Sequence, residues 1–153
     1  MGGFSDARDE IYGQLTDATF LADLLALLGY APAFKYWGVN RSSDGDDMPP
    51  EDNQIYLMAS VKHGTSGETL AGALGAHSYE YQGTVTVQIF EPSYHDLSQA
   101  ESVCELVRAR YRGVRTAGSP SVWFTDARIV EVGQTPSGMQ FNVSAVFRYD
   151  EVA

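Results

Sequence analysis

Met139, Phe141, Val143, Ala145, Phe147 and Tyr149 alternate with Gln140, Asn142, Ser144 and Arg148. A period of two sends successive side chains to opposite faces of a strand, so this segment is apolar on one side and wet on the other, with Val146 the exception. A strand of that length cannot stand alone. It needs neighbours to pair with and an apolar layer to cover its greasy side, which commits the chain to a sheet covered on one face.

Similar patterning recurs upstream. Ile55, Leu57, Ala59 and Val61 alternate with Tyr56, Met58, Ser60 and Lys62. From Tyr79 to Phe90, Val85, Val87 and Ile89 face away from Thr84, Thr86 and Gln88. Phe34 to Val39 forms a short aromatic strand, and Val122 to Val132 pairs with residues 139–149 through Thr135-Pro136-Ser137-Gly138, a hairpin signal. Between these strands a helix is expected from Asp96 onward. Leu97, Ala100, Val103, Cys104, Val107 and Tyr111 make its apolar stripe, and Gly113 closes it. Residues 6–16 suggest an amphipathic helix capped by Asp6, with Ile11, Leu15 and Ala18 on one face. Thr16 or Asp17 caps a further helical stretch over 18–28 that Gly29 ends; one bent helix and two separate ones both fit. Residues 63–78 are rich in Gly, Ala, Ser and Thr and read as a long loop, with a helical turn near 68–74. The expected class is therefore α+β. It has an antiparallel or mixed sheet of about five strands with helices packed on one face, in the order α-β-β-β-α-β-β, and residues 1–153 form a single domain.

Composition narrows the function. With 44% hydrophobic and 20% charged residues, 153 residues suffice for one buried core. No apolar run reaches the length of a membrane span, and the N-terminus lacks the basic region of a secretory signal. The net charge of −10 repels phosphate and disfavours direct nucleic-acid binding. The single Cys104 excludes an internal disulfide and, on an apolar helix stripe, reads as a structural thiol.

The reactive side chains form no recognised chemistry. Asp44-Gly45-Asp46-Asp47 starts like a calcium loop, but Pro49 stands at its sixth position and Ile55 at its twelfth. His63, His77 and His95 lack the spacing of a zinc site, and exposure in loops is expected for them. Gly64-Thr65-Ser66-Gly67 is followed by Glu68, so it is neither a nucleophile elbow nor a phosphate loop. No catalytic residue, metal or cofactor is expected. The basic residues Arg108, Arg110, Arg112 and Arg115 suit a helix C-terminus. Arg108, Arg112 and Arg115 are also candidates to meet an acidic partner, and Asp44, Asp46 and Asp47 of a neighbouring copy offer one.

The layout resembles the tail terminator (tail-completion) proteins of long-tailed bacteriophages. The resemblance is carried by an N-terminal helix, the strand Lys35-Tyr36-Trp37-Gly38-Val39, the polar stretch at Met48-Pro49-Pro50, and Ile55 to Val61. A long loop, the strand Gly83 to Phe90, the helix Leu97 to Tyr111 and a terminal hairpin complete it. It implies a non-enzymatic hexameric ring at the head-proximal end of the tail tube, in the virion and, during assembly, in the host cytoplasm. Such a ring ends tube polymerisation and meets the head-tail connector protein, while DNA passes through its lumen. The loop residues Thr65, Ser66, Glu68, Thr69 and Leu70 are then candidates for contact with the tail tube protein. Two other readings remain: a head-completion or neck adaptor, and a small-molecule-binding or enzymatic domain using Trp37, Trp123, Tyr56 and a histidine in a cleft.

Overall fold

The computed structural model describes residues 4–37, 54–71, 77–92, 97–118, 120–136 and 138–152. Three helices and five strands follow one another as α1 (Phe4–Gly13), α2 (Ala18–Leu28), β1 (Ala33–Tyr36), β2 (Tyr56–Ala71), β3 (His77–Glu91), α3 (Leu97–Tyr111), β4 (Trp123–Thr135) and β5 (Gly138–Val152). The strands form one sheet in the order β1-β2-β3-β5-β4. β1 runs parallel to β2 and the other pairs are antiparallel, so the sheet is mixed and the class is α+β.

The N-terminal segment is two helices bent by 43°. Asp17 caps α2 by accepting from the Phe20 amide at 3.0 Å, and Gly29 closes it at φ +80°, a conformation that costs a residue with a Cβ. Two expectations fail here. α1 begins at Phe4, so Asp6 lies inside its first turn rather than at its cap, where a carboxylate still suits the positive end of the dipole. Ala18 is exposed, because the bend between the helices rotates it off the face shared by Ile11 and Leu15. Neither helix is long and apolar enough to cross a membrane.

The helices share one side of the sheet. Ile11, Leu15, Leu24, Val103, Cys104, Val107 and Tyr111 join Leu57, Ala59, Val85, Val87, Ile89, Phe141, Val143, Ala145 and Phe147 in one core cluster. Polar tips fasten the layers. The Tyr111 hydroxyl donates to the Ile11 carbonyl at 3.0 Å, and Arg110 Nε donates to the Gln14 carbonyl at 2.8 Å, joining α3 to the N-terminal helices. The Tyr12 hydroxyl donates to the Trp37 carbonyl at 2.8 Å and so holds α1 to the β1 edge. Each bond ties a side chain from one layer to a backbone carbonyl of another, and each such bond contributes about 1 kcal/mol.

The largest departure from expectation is at residues 63–78. Residues 63–71 and 77–78 are strand, not loop, and the described part of the expected turn, 68–71, is extended; residues 72–76 lie outside the described residues. Ser66, Gly67, Glu68, Leu70 and Ala71 pair with Tyr81, Glu80, Tyr79, Ser78 and His77, with register shifts after His63 and after Glu68. Small, flexible residues weaken a strand signal, yet pairing with β3, itself pinned to β5 as far as Ser78 and Val152, supplies the backbone bonds that side chains do not specify. Other boundaries move by a few residues: β1 ends at Tyr36, β3 begins at His77, and β4 and β5 run on to Thr135 and Val152. Asp44, Asp46 and Asp47, the Met48-Pro49-Pro50 stretch, His95 and Asp96 lie outside the described residues.

Candidate functional site

On β2, β3 and β5 the odd-numbered positions face the helices, as the pairs Leu57 with Ile89, Val85 with Ala145, and Val87 with Val143 show. The next row along is His63, Gly83 and Phe147. Gly83 has to be glycine for a packing reason. A Cβ there would sit 2.6 Å from Phe147 Cζ and collide with the Lys62 carbonyl, so the missing side chain is where the Phe147 ring lies.

His63 is therefore not an exposed loop residue. Its ring stacks on Phe4 at 4.1 Å and meets the edges of Phe147 and Tyr149 at 5.5 and 5.9 Å. Its Nε2 lies 3.0 Å from the Tyr149 hydroxyl. Burial, with a smaller contribution from the Arg8 guanidinium, pushes its pKa below the usual 6.5. The unfolded chain thus binds this proton more readily than the folded one, and stability falls as pH drops through 6.5 until the lower folded pKa is passed. Calorimetry from pH 7.5 to 5.5 is expected to show a smaller loss of Tm for His63→Phe than for the parent chain; parallel curves would mean that the imidazole is not held neutral.

Cys104 is fully buried on α3, and burial with Glu101 nearby pushes its thiol up to about 12. It is a packing residue without thiolate character. A disulfide reagent at pH 8 is expected to leave the native thiol unlabelled and to titrate one thiol per chain after denaturation; rapid native labelling would contradict this burial.

Each arginine of the group has a partner within the chain. Arg108 is 3.3 Å from Glu105 on its own helix, and Arg112 is 3.2 Å from Asp126 on β4. Arg110 serves Gln14. Arg115 donates to the Ser121 hydroxyl at 3.0 Å and lies over the Trp123 ring, 4.6 Å from its centroid. Partners within the chain thus hold the cations assigned from sequence to an intermolecular contact. Exposed pairs of this kind contribute at most about 1 kcal/mol each.

The cleft imagined around Trp37, Tyr56 and Trp123 is not assembled either. Trp37 follows β1 at one edge of the sheet, Trp123 starts β4 at the other, and Tyr56 stacks on Phe90 at 4.8 Å. Among the described residues no group of three His, Cys, Asp or Glu side chains is placed to hold a metal ion.

What the fold does present is three open surfaces. β1 pairs with β2 only as far as Ala59, so from Ser60 to Ala71 one edge of β2 has no strand beside it among the described residues. β2 runs ten residues past Val61, about 30 Å at the usual rise. Thr65, Ser66, Glu68, Thr69 and Leu70 all lie on this β2–β3 arm, so they share one strand instead of dangling from a loop. The sheet face away from the helices is the second such surface. It carries Ser60, Thr86, Ser144 and Arg128 in one row, then Lys62, Thr84 and Val146, then Gln82, Arg148 and Trp123. An open groove of about 750 Å³ between α2 and α3, lined by Asp23, Leu27, Glu101 and Leu106 among others, is the third.

Sequence reading identified the apolar faces of β2, β3 and β5 and drew nothing from the opposite one. The signal was present: the even positions of β2, β3 and β5 mix hydroxyls, amides and cations. Only strand order shows that Lys62, Arg128 and Arg148 share a face, since they stand on three different strands.

No family model and no curated protein matches the chain. Among solved structures, one known only by a sequence identifier aligns over 93% of this chain and 94% of its own, with 17% identity and a TM-score of 0.60. A chain from the virion of a native gene transfer agent (GTA) particle aligns over 95% of this chain and 94% of its own, with 17% identity and a TM-score of 0.46. The first likeness establishes a fold shared across nearly the whole length of both chains.

Proposed function

We propose that this chain is a non-enzymatic structural subunit of a phage-type particle. It closes into a ring, a hexamer by the resemblance in its layout, on the head-proximal end of the tail tube. There it stops polymerisation and offers a surface to the connector. The observation that carries this reading is the paired β2–β3 arm, whose outer edge has no strand beside it among the described residues. An exposed edge invites further strand pairing, and a chain that keeps so long a one has a use for a strand partner. The anionic chain, at −10, also suits a lumen through which DNA must slide without sticking. Heterologous contacts that close produce a ring, and no catalytic group is required for this task.

Light scattering and negative-stain imaging, with and without tail tube protein, test the proposal. A ring, alone or on the tube end, is the expected result. A chain that stays monomeric beside the tube overturns it, and capture by portal-associated proteins instead would point to a neck adaptor.

A further inference from the structure

The sheet face opposite the helices runs against the charge of the rest of the chain. Lys62, Arg128 and Arg148 stand on it, and Arg115 reaches its rim at Trp123; these are four of ten basic residues in a chain of net charge −10. Glu80, 4.0 Å from Arg148, and Asp150 oppose them, which leaves an excess of cations. Lys62 and Arg128 form no ion pair among the described residues. Among these cations stands Val146, 49% exposed; Val130, equally exposed, lies beyond Arg128 on β4. An apolar centre ringed by charge is the usual composition of a protein interface.

The same chain carries a complementary segment. From 44 to 52 its sequence holds Asp44, Asp46, Asp47, Glu51 and Asp52 around Met48-Pro49-Pro50, with no basic residue. It therefore offers carboxylates for Lys62, Arg128 and Arg148, and an apolar middle for Val146. Its prolines lower the entropy lost on docking. Three strand spacings separate Lys62 from Arg128, so the cations lie within about 15 Å, and nine residues of extended chain span about 30 Å.

We infer that this basic sheet face binds the acidic segment Asp44–Asp52 of a second copy. The choice of a second copy rests on the ring proposed above: a face on one subunit that takes a segment of the next makes the head-to-tail contact a ring needs.

Two charge-reversed variants test the pairing. Lys62→Glu with Arg128→Glu reverses the face outside the internal ion pairs, and Asp46→Lys with Asp47→Lys reverses the segment. Each variant alone is expected to need at least about tenfold more protein than the parent to assemble at low salt. An equimolar mixture is expected to assemble like the parent, since each unlike contact is attractive. Variants that assemble normally alone, or a mixture that stays apart while the parent assembles, overturn the inference and leave the ring intact. Mixing also separates a second copy from the chain's own segment, because contacts within one chain gain nothing from it. A synthetic peptide of residues 40–53, titrated onto the full-length protein, gives an independent readout. Salt-sensitive binding lost in the face-reversed variant supports the pairing even if the parent never forms a ring; absence of binding to the parent overturns it.

Discussion

Phe147→Ala is expected to destabilise the protein by about 3–5 kcal/mol, the range for a large aromatic removed from a packed core. Phe147 is fully buried. Its ring meets His63 edge-on at 5.5 Å, Phe124 at 6.5 Å and Tyr149 in parallel at 6.3 Å. It also fills the space over Gly83, where no side chain exists to move in. Truncation therefore leaves a cavity whose walls are two strands and an aromatic cluster, none of which collapses easily. Against a total stability of about 5–15 kcal/mol, this is a large fraction. Urea unfolding should show a lower midpoint with an unchanged slope, and Phe147→Leu should cost less than half as much. A loss under about 1 kcal/mol for the alanine variant would mean that the ring is not packed as described.

Shortening the β2–β3 arm is expected to abolish assembly while sparing the fold. Ser66 and Tyr81 are register partners, so replacing residues 67–80 with Asn-Gly joins them through a two-residue hairpin turn. Tyr81 stays in place against Phe4 and Tyr149, at 5.3 and 5.4 Å, and the aromatic cluster remains whole. Among the residues whose burial is described, every fully buried one of β2 and β3 in the helix-side cluster lies outside the deletion. A cooperative melt with a loss below about 2 kcal/mol is expected, together with loss of ring formation on tail tubes. If the shortened chain unfolds, the arm is a structural element and its proposed role is wrong. If it folds and still caps tubes, contact with the tube runs through another surface.

The two experiments probe parts of the chain that differed in how legible they were. The residues Phe147 needs were readable from periodicity alone. Alternation at 139–149 and 85–89 specified which side chains face inward, and the stripe from Ala100 to Tyr111 specified what covers them. Capping was equally local: Asp17 and Gly29 bracket α2 through contacts within a few residues. The arm was not legible, because Gly64, Gly67 and the Ser and Thr residues around them carry no periodic apolar signal, and their strand character comes from β3. His63 was misread for the same reason. Its partners Phe4, Tyr149 and Phe147 stand far from it in the chain, so nothing nearby in sequence announces an aromatic cluster.

Sequence by itself determined the class of structure, the inward faces of β2, β3 and β5, the start of α2 to within Thr16 or Asp17 and its end at Gly29, and the burial of Cys104, since all of these follow from side-chain period and local backbone chemistry. Tertiary structure decided the strand order, the parallel pairing of β1 with β2, the internal engagement of the arginines, and the gathering of Lys62, Arg128 and Arg148 on one open face. The physical reason is range: period and capping act over a few residues, whereas register and charge neighbourhood depend on which distant strands come to lie about 5 Å apart.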